Sequence, residues 1–217
     1  MKVLVACEES QTVCKTFREH GHEAWSCDIQ ECSGGHPEWH ICGDVLPLIN
    51  GDCTFTTMDG HTHTHTGRWD LIIAHPPCTY LTAAGAVRLY AKDHAIKDQD
   101  RLAKGFEAAR FFREFLNCNC ERVAIENPTP MKIFGLPDYD QVVEPWMFGD
   151  PWTKRTCLWL KGLPQLEATN PVKPIGYWVG AHGHDKARNG FSKCFRDQKR
   201  RSKAFEGMAN AMLQWTT

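Results

Sequence analysis

The sequence predicts an α/β fold built on a doubly wound, mostly parallel sheet. Short apolar runs alternate with amphipathic stretches of helical periodicity, which is the pattern of strands joined by crossover helices. The run at 69–74 is apolar throughout, as expected for a strand covered on both faces. Acidic or cysteine residues follow several of these runs, and ligands of such sheets bind beyond the carboxyl ends of the strands. We therefore expect the functional residues at that edge.

Composition sets the limits of the interpretation. The chain has 217 residues, of which 42% are hydrophobic and 24% charged, values typical of a single globular domain over 1–217. No apolar run approaches the roughly 18 to 20 residues that span a bilayer. Glu8 and Glu9 come too early for the apolar core of a secretory signal, so a cytoplasmic protein is predicted. Eleven cysteines without regular spacing indicate reduced thiols.

The first half of the chain supplies three predicted strands. Residues 2–7 form the first strand, and the spacing of Val13 and Phe17 predicts the helix that follows. Strands are predicted at 23–27 and 40–45, and they bring Asp28 and Asp44 to their carboxyl ends.

Two histidine-containing clusters of this half invite a metal interpretation. His61, His63 and His65 alternate within a threonine- and glycine-rich stretch that is interpreted as a solvent loop. Cys27, Cys32, His36 and His40 have the residue types of a zinc site but not the spacing of a familiar one. No metal is predicted at either cluster.

The second half continues the alternation. The strand at 69–74 leads into His75, Pro76, Pro77 and Cys78. Apolar residues at three- and four-residue steps predict a helix over 98–116. A strand at 122–125 ends in Glu126, Asn127 and Pro128. Further elements complete the prediction, with strands at 141–146 and 155–160 and a closing helix at 199–214.

Cys78 is a candidate nucleophile. Two prolines fix the backbone that precedes it, because proline locks its own φ and restricts the residue before it. A cysteine thiolate forms covalent intermediates readily. A structural cysteine in a turn remains the alternative at this point.

Glu126 strengthens the interpretation of Cys78. It also follows a buried strand and precedes a proline, so it is placed at the same edge of the sheet. Burial is expected to raise its pKa, so that the carboxyl group exchanges a proton near neutrality. A nucleophile that adds to an electron-poor ring, with a carboxyl group that protonates the ring nitrogen, is suited to activating a pyrimidine at C5.

These motifs resemble a known family. Pro-Pro-Cys followed by Glu-Asn, on the fourth and fifth strands of a nucleotide-type sheet, is similar to the S-adenosylmethionine-dependent cytosine-5 DNA methyltransferases. The stretches CDIQECSGGHPEWH, DLIIAHPPCTYL, IENPTPMKIFGLP and KRTCLWLKGLP resemble the short phage and prophage members described as DNA cytosine methyltransferase-like. The resemblance covers residues 3–215 and implies a Rossmann-like methyltransferase fold. It implies that Cys78 attacks C6, that Glu126 protonates N3, and that Asn127 holds the catalytic loop.

The resemblance also implies where S-adenosylmethionine binds. The methionine part would lie over Ala6, Cys7, Glu8, Glu9 and Ser10, where Glu8 or Glu9 could accept its amino group. Asp28 would bind the ribose, which agrees with the usual ribose partner at the end of a second strand, and Asp44 the adenine amine. Turn formation is the other interpretation of these two acids. The remaining positions implied for the cofactor pocket are Ile29, Val45, Pro76 and Asn210. The first loop contains no glycine, whereas the family pattern is glycine-rich.

The charge distribution favours a nucleic-acid partner. Residues 186–203 carry eight basic side chains and one acidic one, on a chain whose overall net charge is -1. Contacts with DNA are predicted for Lys154, Lys193, Arg196, Lys199, Arg200 and Arg201. Arg155 is the candidate contact to the target base, with plain surface charge as the alternative. Residues 162–204 leave room only for a very small recognition element.

Two other functions remain open from sequence. One is C5 chemistry on a free pyrimidine nucleotide, where the basic run would hold a phosphate. The other is a catalytically silent nucleic-acid-binding protein of the same fold, which the glycine-free first loop favours.

Overall fold

A computed structural model describes residues 1–178, 193–194 and 203–217. Its centre is a seven-stranded sheet flanked by helices, as predicted. The strands of this sheet are β1 (Lys2–Ala6), β2 (Glu23–Asp28), β3 (His40–Cys42), β6 (Leu71–Ala74), β7 (Val123–Asn127), β8 (Gln141–Val143) and β10 (Thr156–Lys161). The helices are α1 (Thr12–Glu19), α2 (Ala86–Leu89), α3 (Gln99–Asn117) and α4 (Glu206–Ala211).

The strand order of the central sheet is β3-β2-β1-β6-β7-β10-β8. The first five strands in this order are parallel to one another. β10 runs antiparallel to both β7 and β8, so the parallel sheet ends in one reversed strand. The chain moves outward from β1 to β3 and then returns to the other side of β1 at β6. That reversal creates a crevice between β1 and β6, where ligands of open α/β sheets bind.

Alternation along β1 shows how the two layers are built. Leu4 and Ala6 point into the core that contains α3. Val3 and Val5 point into the opposite core, which contains α1 and α4. Because both faces of the strand are buried, β1 is apolar at every position from Val3 to Ala6 rather than at every second one.

The prediction of a solvent loop in the stretch rich in histidine and threonine is wrong. Residues Cys53–Thr56 (β4) and Thr62–His65 (β5) form an antiparallel hairpin. The threonines of β5 face outward, and its histidines face inward: His65 stacks on Trp69 with ring centroids 3.8 Å apart, and His63 packs edge-on against Trp25. His61 precedes the strand and pairs with Asp59. The alternation therefore reflects packing of imidazole rings onto an aromatic core.

Three predicted elements are shorter in the structure. The third strand ends at Cys42, which leaves Asp44 in the following loop. β8 ends at Val143, because Pro145 begins a 3-10 turn at Pro145–Met147. Within the described part of the closing helix, α4 covers Glu206–Ala211 and continues as a 3-10 turn over Met212–Thr216.

Two short strands of the predicted recognition element join a strand that precedes it in a small parallel sheet. Its strands are β9 (Trp152–Thr153), β11 (Gly176–Tyr177) and β12 (Lys193–Cys194), in the order β12-β11-β9. The predicted nucleic-acid contacts at Arg196, Lys199, Arg200 and Arg201 lie outside the described residues, and Lys193 is described only by its backbone. Among the described helices, none has both the length and the apolarity to cross a membrane.

Candidate active site

The cysteine loop begins directly after β6. The Cys78 carbonyl accepts hydrogen bonds from the backbone N–H groups of Leu81 and Thr82, both at 3.0 Å, which closes a tight turn behind the thiol. The backbone N–H of His75 donates to the Ala6 carbonyl at 2.9 Å and ties the start of the loop to β1. The prolines between them remove two backbone donors and limit φ. Local sequence therefore holds Cys78 at the carboxyl edge of the sheet.

The cysteine loop is also paired with the loop that follows Glu126. The Met131 N–H donates to the Leu81 carbonyl at 2.7 Å, and the Ala83 N–H donates to the Thr129 carbonyl at 2.9 Å. Thr82 and Pro130 form the antiparallel bridge between these bonds. The loops after β6 and β7 are thus joined as a short two-stranded ribbon.

Arg101 of α3 supports this ribbon from outside. Its guanidinium donates to the Thr79 carbonyl at 2.6 Å and lies 5.1 Å from the centre of the Tyr80 ring. Gly85 leaves space for the guanidinium, since a Cβ there would meet Arg101 at 2.7 Å. The buried arginine fixes the outer end of the loop that carries Cys78.

Glu126 is nearly buried and is flanked by two cationic side chains. Its Oε2 lies 2.8 Å from His75 Nδ1, and its Oε1 lies 3.6 Å from Lys154 Nζ. Burial alone would raise the pKa of this carboxyl group, but Lys154 and His75 outweigh it and lower the pKa to about 2. The sequence-based expectation of a raised pKa is therefore wrong, because the two cations come from other strands. Glu126 is a carboxylate anion at neutral pH.

The pKa of His75 shifts in the opposite direction, upward. Burial opposes its charged form, but the hydrogen bond and the charge of Glu126 outweigh burial and raise the pKa of the imidazole. Its Nε2 is buried and has no hydrogen-bond partner among the described residues. Asn127 is similar: its amide N–H donates to the Pro76 carbonyl at 2.7 Å, while its Oδ1 is buried without a described partner. His75 and Asn127 are therefore largely buried, and each has one polar atom that bonds to no described residue.

Cys78 is partly exposed and protonated. Burial and the negative charge of Glu126 raise the pKa of its thiol, while Lys154 lowers it by a smaller amount. Glu126 is thus close enough to act on the Cys78 thiol electrostatically, and a neighbouring carboxylate can accept a thiol proton. This combination suits a nucleophile that is activated only when the substrate arrives.

The loop after β1 is fixed by its own side chains. Glu8 is buried and accepts hydrogen bonds from the backbone N–H groups of Val13 and Cys14 at 2.6 and 3.1 Å, so it caps α1. Burial raises the pKa of this carboxyl group to about 7, against the lowering effect of His75 and the two N–H donors. Its oxygens are thus engaged by the helix end, and Glu9, partly exposed, is the carboxylate better placed to meet a ligand.

Although the loop after β1 contains no glycine, two residues at its ends adopt a backbone conformation typical of glycine. Cys7 and Gln11 adopt φ values of 59° and 58°, in the left-handed region that glycine ordinarily occupies. The Gln11 amide bonds in both directions with the backbone of His36, at 2.8 and 3.1 Å. Gly34 lies directly over the loop, where a Cβ would come within 2.5 Å of Gln11 and 2.6 Å of the Ser10 carbonyl. Here the glycine that permits close approach lies in the covering segment.

Asp28 and Asp44 both form turns. Asp28 is the last residue of β2, and its Oδ1 accepts a hydrogen bond from the Gln30 N–H at 2.9 Å. Asp44 Oδ1 accepts one from the Leu46 N–H at 3.0 Å. Both charges are near Cys7, because they help burial to raise the pKa of its thiol. The turn-forming interpretation thus holds for one oxygen of each acid, and neither Oδ2 bonds to a described residue.

The other residues predicted for the cofactor pocket are spread around this edge. Ile29 is 81% exposed beside Asp28, whereas Val45 and Pro76 are buried. Asn210 is exposed on α4, and its amide donates to the Glu206 carbonyl of the same helix at 3.0 Å. No described contact joins Asn210 to the loops after β1 and β2.

Of the neighbouring cations Lys154 and Arg155, the structure largely buries the lysine and exposes the arginine. Lys154 is mostly buried and faces Glu126. Arg155 is exposed, and its guanidinium donates to the Thr129 hydroxyl at 3.2 Å and to the Tyr139 hydroxyl at 2.9 Å. Of these two neighbouring residues, the one that faces Glu126 is therefore the lysine, which sequence reasoning assigned to nucleic-acid contacts.

Sequence reasoning missed His75 as a functional side chain. The available signal was its position: a titratable residue immediately after the buried strand next to the one that carries Glu126.

Comparisons with known proteins do not assign a class to this site. No protein-family model matches the chain, and a search of curated proteins finds no match.

Proposed function

We propose that the protein is an S-adenosylmethionine-dependent methyltransferase that acts at C5 of cytosine in DNA. The observation that carries the proposal is that the loops bearing Cys78 and Glu126 are hydrogen-bonded to each other, close enough for the Glu126 carboxylate to raise the pKa of the Cys78 thiol, beside the crevice between β1 and β6. A nucleophile and a proton carrier at one site are the minimum that addition to a pyrimidine ring requires.

The protonation states suggest an order of events. Glu126 accepts the proton of Cys78 as the thiolate sulfur forms a bond to C6 of the cytosine. Glu126 then delivers that proton to N3, while the electrons of the C5–C6 double bond move toward N3 and leave C5 nucleophilic. After C5 has gained the methyl group, its proton leaves to water, the proton on N3 returns through Glu126, and the Cys78–C6 bond breaks. Each proton that moves is accounted for by groups in the site or by solvent.

Lys154 fits the same edge of the base. The Watson–Crick edge of cytosine offers an acceptor at N3 and a donor at the exocyclic amine. The Glu126 carboxyl group matches both, because once protonated it donates to N3 while its other oxygen accepts from the amine, and Lys154 Nζ lies 3.6 Å from Oε1 at the same place. This favours Lys154 over Arg155 as the cation that contacts the target base.

The first three strands suit S-adenosylmethionine. The unengaged oxygens of Asp28 and Asp44 are acceptors for the ribose hydroxyls and the adenine amine, and the exposed Ile29 offers an apolar surface to a ring. The cofactor, when bound, supplies a methyl group made electrophilic by a sulfonium centre. Glu8 is engaged with α1, so Glu9 and the backbone of Cys7 are the groups expected to meet the methionine part.

The sheet supports this choice over a nicotinamide cofactor. Numbered along the chain within the central sheet, its strands run 3-2-1-4-5-7-6, with the seventh antiparallel. Dinucleotide-binding sheets run 3-2-1-4-5-6 and remain parallel. The reversed strand therefore argues against a dinucleotide-binding sheet.

Transfer of a labelled methyl group tests the proposal. The purified protein is incubated with S-adenosylmethionine carrying a tritiated methyl group and with plasmid DNA, single-stranded DNA or deoxycytidine monophosphate. We expect label in DNA and a covalent adduct with DNA containing 5-fluorocytosine. Cys78→Ser removes both signals, whereas Cys53→Ser, a half-buried cysteine of the β4–β5 hairpin, retains them.

The other outcomes are equally informative. Label confined to the mononucleotide would replace DNA by a free nucleotide as substrate. DNA binding without label in any substrate would favour the silent binding protein. An adduct that survives Cys78→Ser would assign the nucleophile to a different cysteine.

A further inference from the structure

We propose that His75 is a positioning residue, which holds the Glu126 carboxylate in a fixed orientation through the hydrogen bond between Nδ1 and Oε2. The part of this inference that concerns reaction rate rests on the proposed function. The part that concerns coupling between the two side chains does not.

The geometry brings together two residues that are 51 positions apart in the sequence. β6 and β7 are adjacent and parallel, with Ala74 opposite Ile125, so His75 and Glu126 both follow that pair by one residue. The two side chains are only 15% and 11% exposed, and Nδ1 lies 2.8 Å from Oε2. A hydrogen bond between opposite charges in such a screened position is strong and directional.

Charged groups face His75 from three neighbouring elements. Glu8, in the loop after β1, and Glu126, on β7, both favour the charged imidazole, while Lys154, which precedes β10, disfavours it. Cys78 follows on the same loop as His75 and is affected by Glu126 and Lys154. The signs alternate along the edge of the sheet, from Glu8 to His75 to Glu126 to Lys154, so each charge is stabilised by its neighbours.

His40 shows what a structural histidine looks like in this protein. It is fully buried, with Nδ1 2.8 Å from the Ser26 hydroxyl and Nε2 2.9 Å from the Gln30 carbonyl. Burial lowers its pKa, and both ring nitrogens bond to neutral groups. His75 differs in each respect: one nitrogen bonds to a carboxylate, and Nε2 has no partner among the described residues. The difference indicates that Glu126 is the group that His75 serves.

Side-chain nitrogen NMR tests the coupling without any substrate. The titration of His75 is followed in ¹⁵N-histidine-labelled protein and assigned by loss of its signal in His75→Asn. We expect His75 to stay charged at higher pH than a free histidine. Glu126→Gln should lower its midpoint by at least one pH unit, and Lys154→Gln should raise it. His40, unchanged in all three proteins, is the internal control. An unaltered His75 midpoint in Glu126→Gln would overturn the inference.

The pH dependence of methyl transfer tests the consequence. His75→Ala should reduce kcat about 100-fold with little change in KM for DNA, and move the acidic limb of the profile upward by at least one pH unit. His75→Asn keeps an N–H donor near the place of Nδ1, so it should recover part of kcat but retain the shifted limb. A uniform loss with an unshifted limb would reduce His75 to a structural role.

The two proposals fail separately. Coupling by NMR without methyl transfer would leave the His75–Glu126 pair intact and refute the proposed reaction. Methyl transfer with a pH profile unaffected by His75 variants would do the reverse.

Discussion

The two halves of the sheet edge use carboxylates in different ways. On the side of β1, β2 and β3, Glu8, Asp28 and Asp44 each accept hydrogen bonds from nearby backbone N–H groups. On the side of β6 and β7, Glu126 is held by the side chains of His75 and Lys154. A carboxylate bound by backbone fixes the shape of a loop, whereas one bound by cations keeps its charge in a buried position. We therefore interpret the first half as a rigid cradle and the second as the reactive half.

The largest effect is expected at the reactive half. Glu126→Gln removes the proton acceptor for Cys78 and leaves His75 and Lys154 without their anion. We expect methyl transfer to fall by about 10³-fold, with DNA binding largely kept. Initial rates and DNA affinity, measured side by side with Glu121→Gln as an exposed glutamate control, check this. Retention of more than a tenth of the rate would contradict the proposed role.

The pH dependence of folding stability tests the role of Glu8 in the first half of the sheet edge. The pKa of Glu8 is about 7 in the folded protein against 4.5 for an unperturbed glutamate, so the folded state binds the extra proton between these limits. The stability contributed by Glu8 is thus full below about pH 4.5 and declines as pH rises to about 7. Wild type should lose about 2 to 3 kcal/mol more than Glu8→Gln between pH 5 and pH 8.

Urea denaturation of both proteins at the two pH values measures that difference. Titrations common to both proteins cancel in the comparison. Equal losses in the two proteins would show that Glu8 titrates normally.

The exchange of roles between Lys154 and Arg155 allows a paired test within the reactive half. Lys154→Gln removes the buried cation beside Glu126 and should lower kcat/KM about 100-fold. Arg155→Gln removes an exposed guanidinium and should lower it only a few-fold. Steady-state kinetics of the two neighbouring variants give the ratio directly. A larger loss of kcat/KM in Arg155→Gln than in Lys154→Gln would instead support Arg155 as the contact to the target base.

The smallest effect concerns the packing of the cradle. Gly34→Ala places a methyl group 2.5 Å from Gln11, so the covering segment must move, at a cost of about 2 kcal/mol. Gly43→Ala is the matched control in the same half, because a Cβ there meets nothing within 4 Å. Thermal melts and calorimetric titration with S-adenosylmethionine compare the variants. We expect weaker cofactor binding only in Gly34→Ala.

Much of this arrangement could be predicted from local pattern. Apolar runs placed the parallel strands, and the residues after them placed Cys78, Glu126 and Asp28 at one edge. The predictions that failed concern side chains whose partners are distant in sequence. The direction of the Glu126 pKa shift requires His75 and Lys154, which come from other strands. The inward-facing histidines of β5 were not predicted, because they pack on Trp69 and on Trp25, which is distant in sequence. A hydrophobic pattern also counts histidine as polar, so the alternation along β5 was not recognised as a strand.

The ribbon between residues 81–83 and 129–131 has a consequence for how this site can evolve. Because each residue of a strand advances about 3.4 Å and alternates its face, deleting one residue from either loop would shift the thiol relative to the carboxylate and turn the paired side chains over. The spacing from Cys78 to Thr82 and that from Glu126 to Pro130 are therefore expected to be inherited together. A length change in one motif of a natural variant should be accompanied by a compensating change in the other.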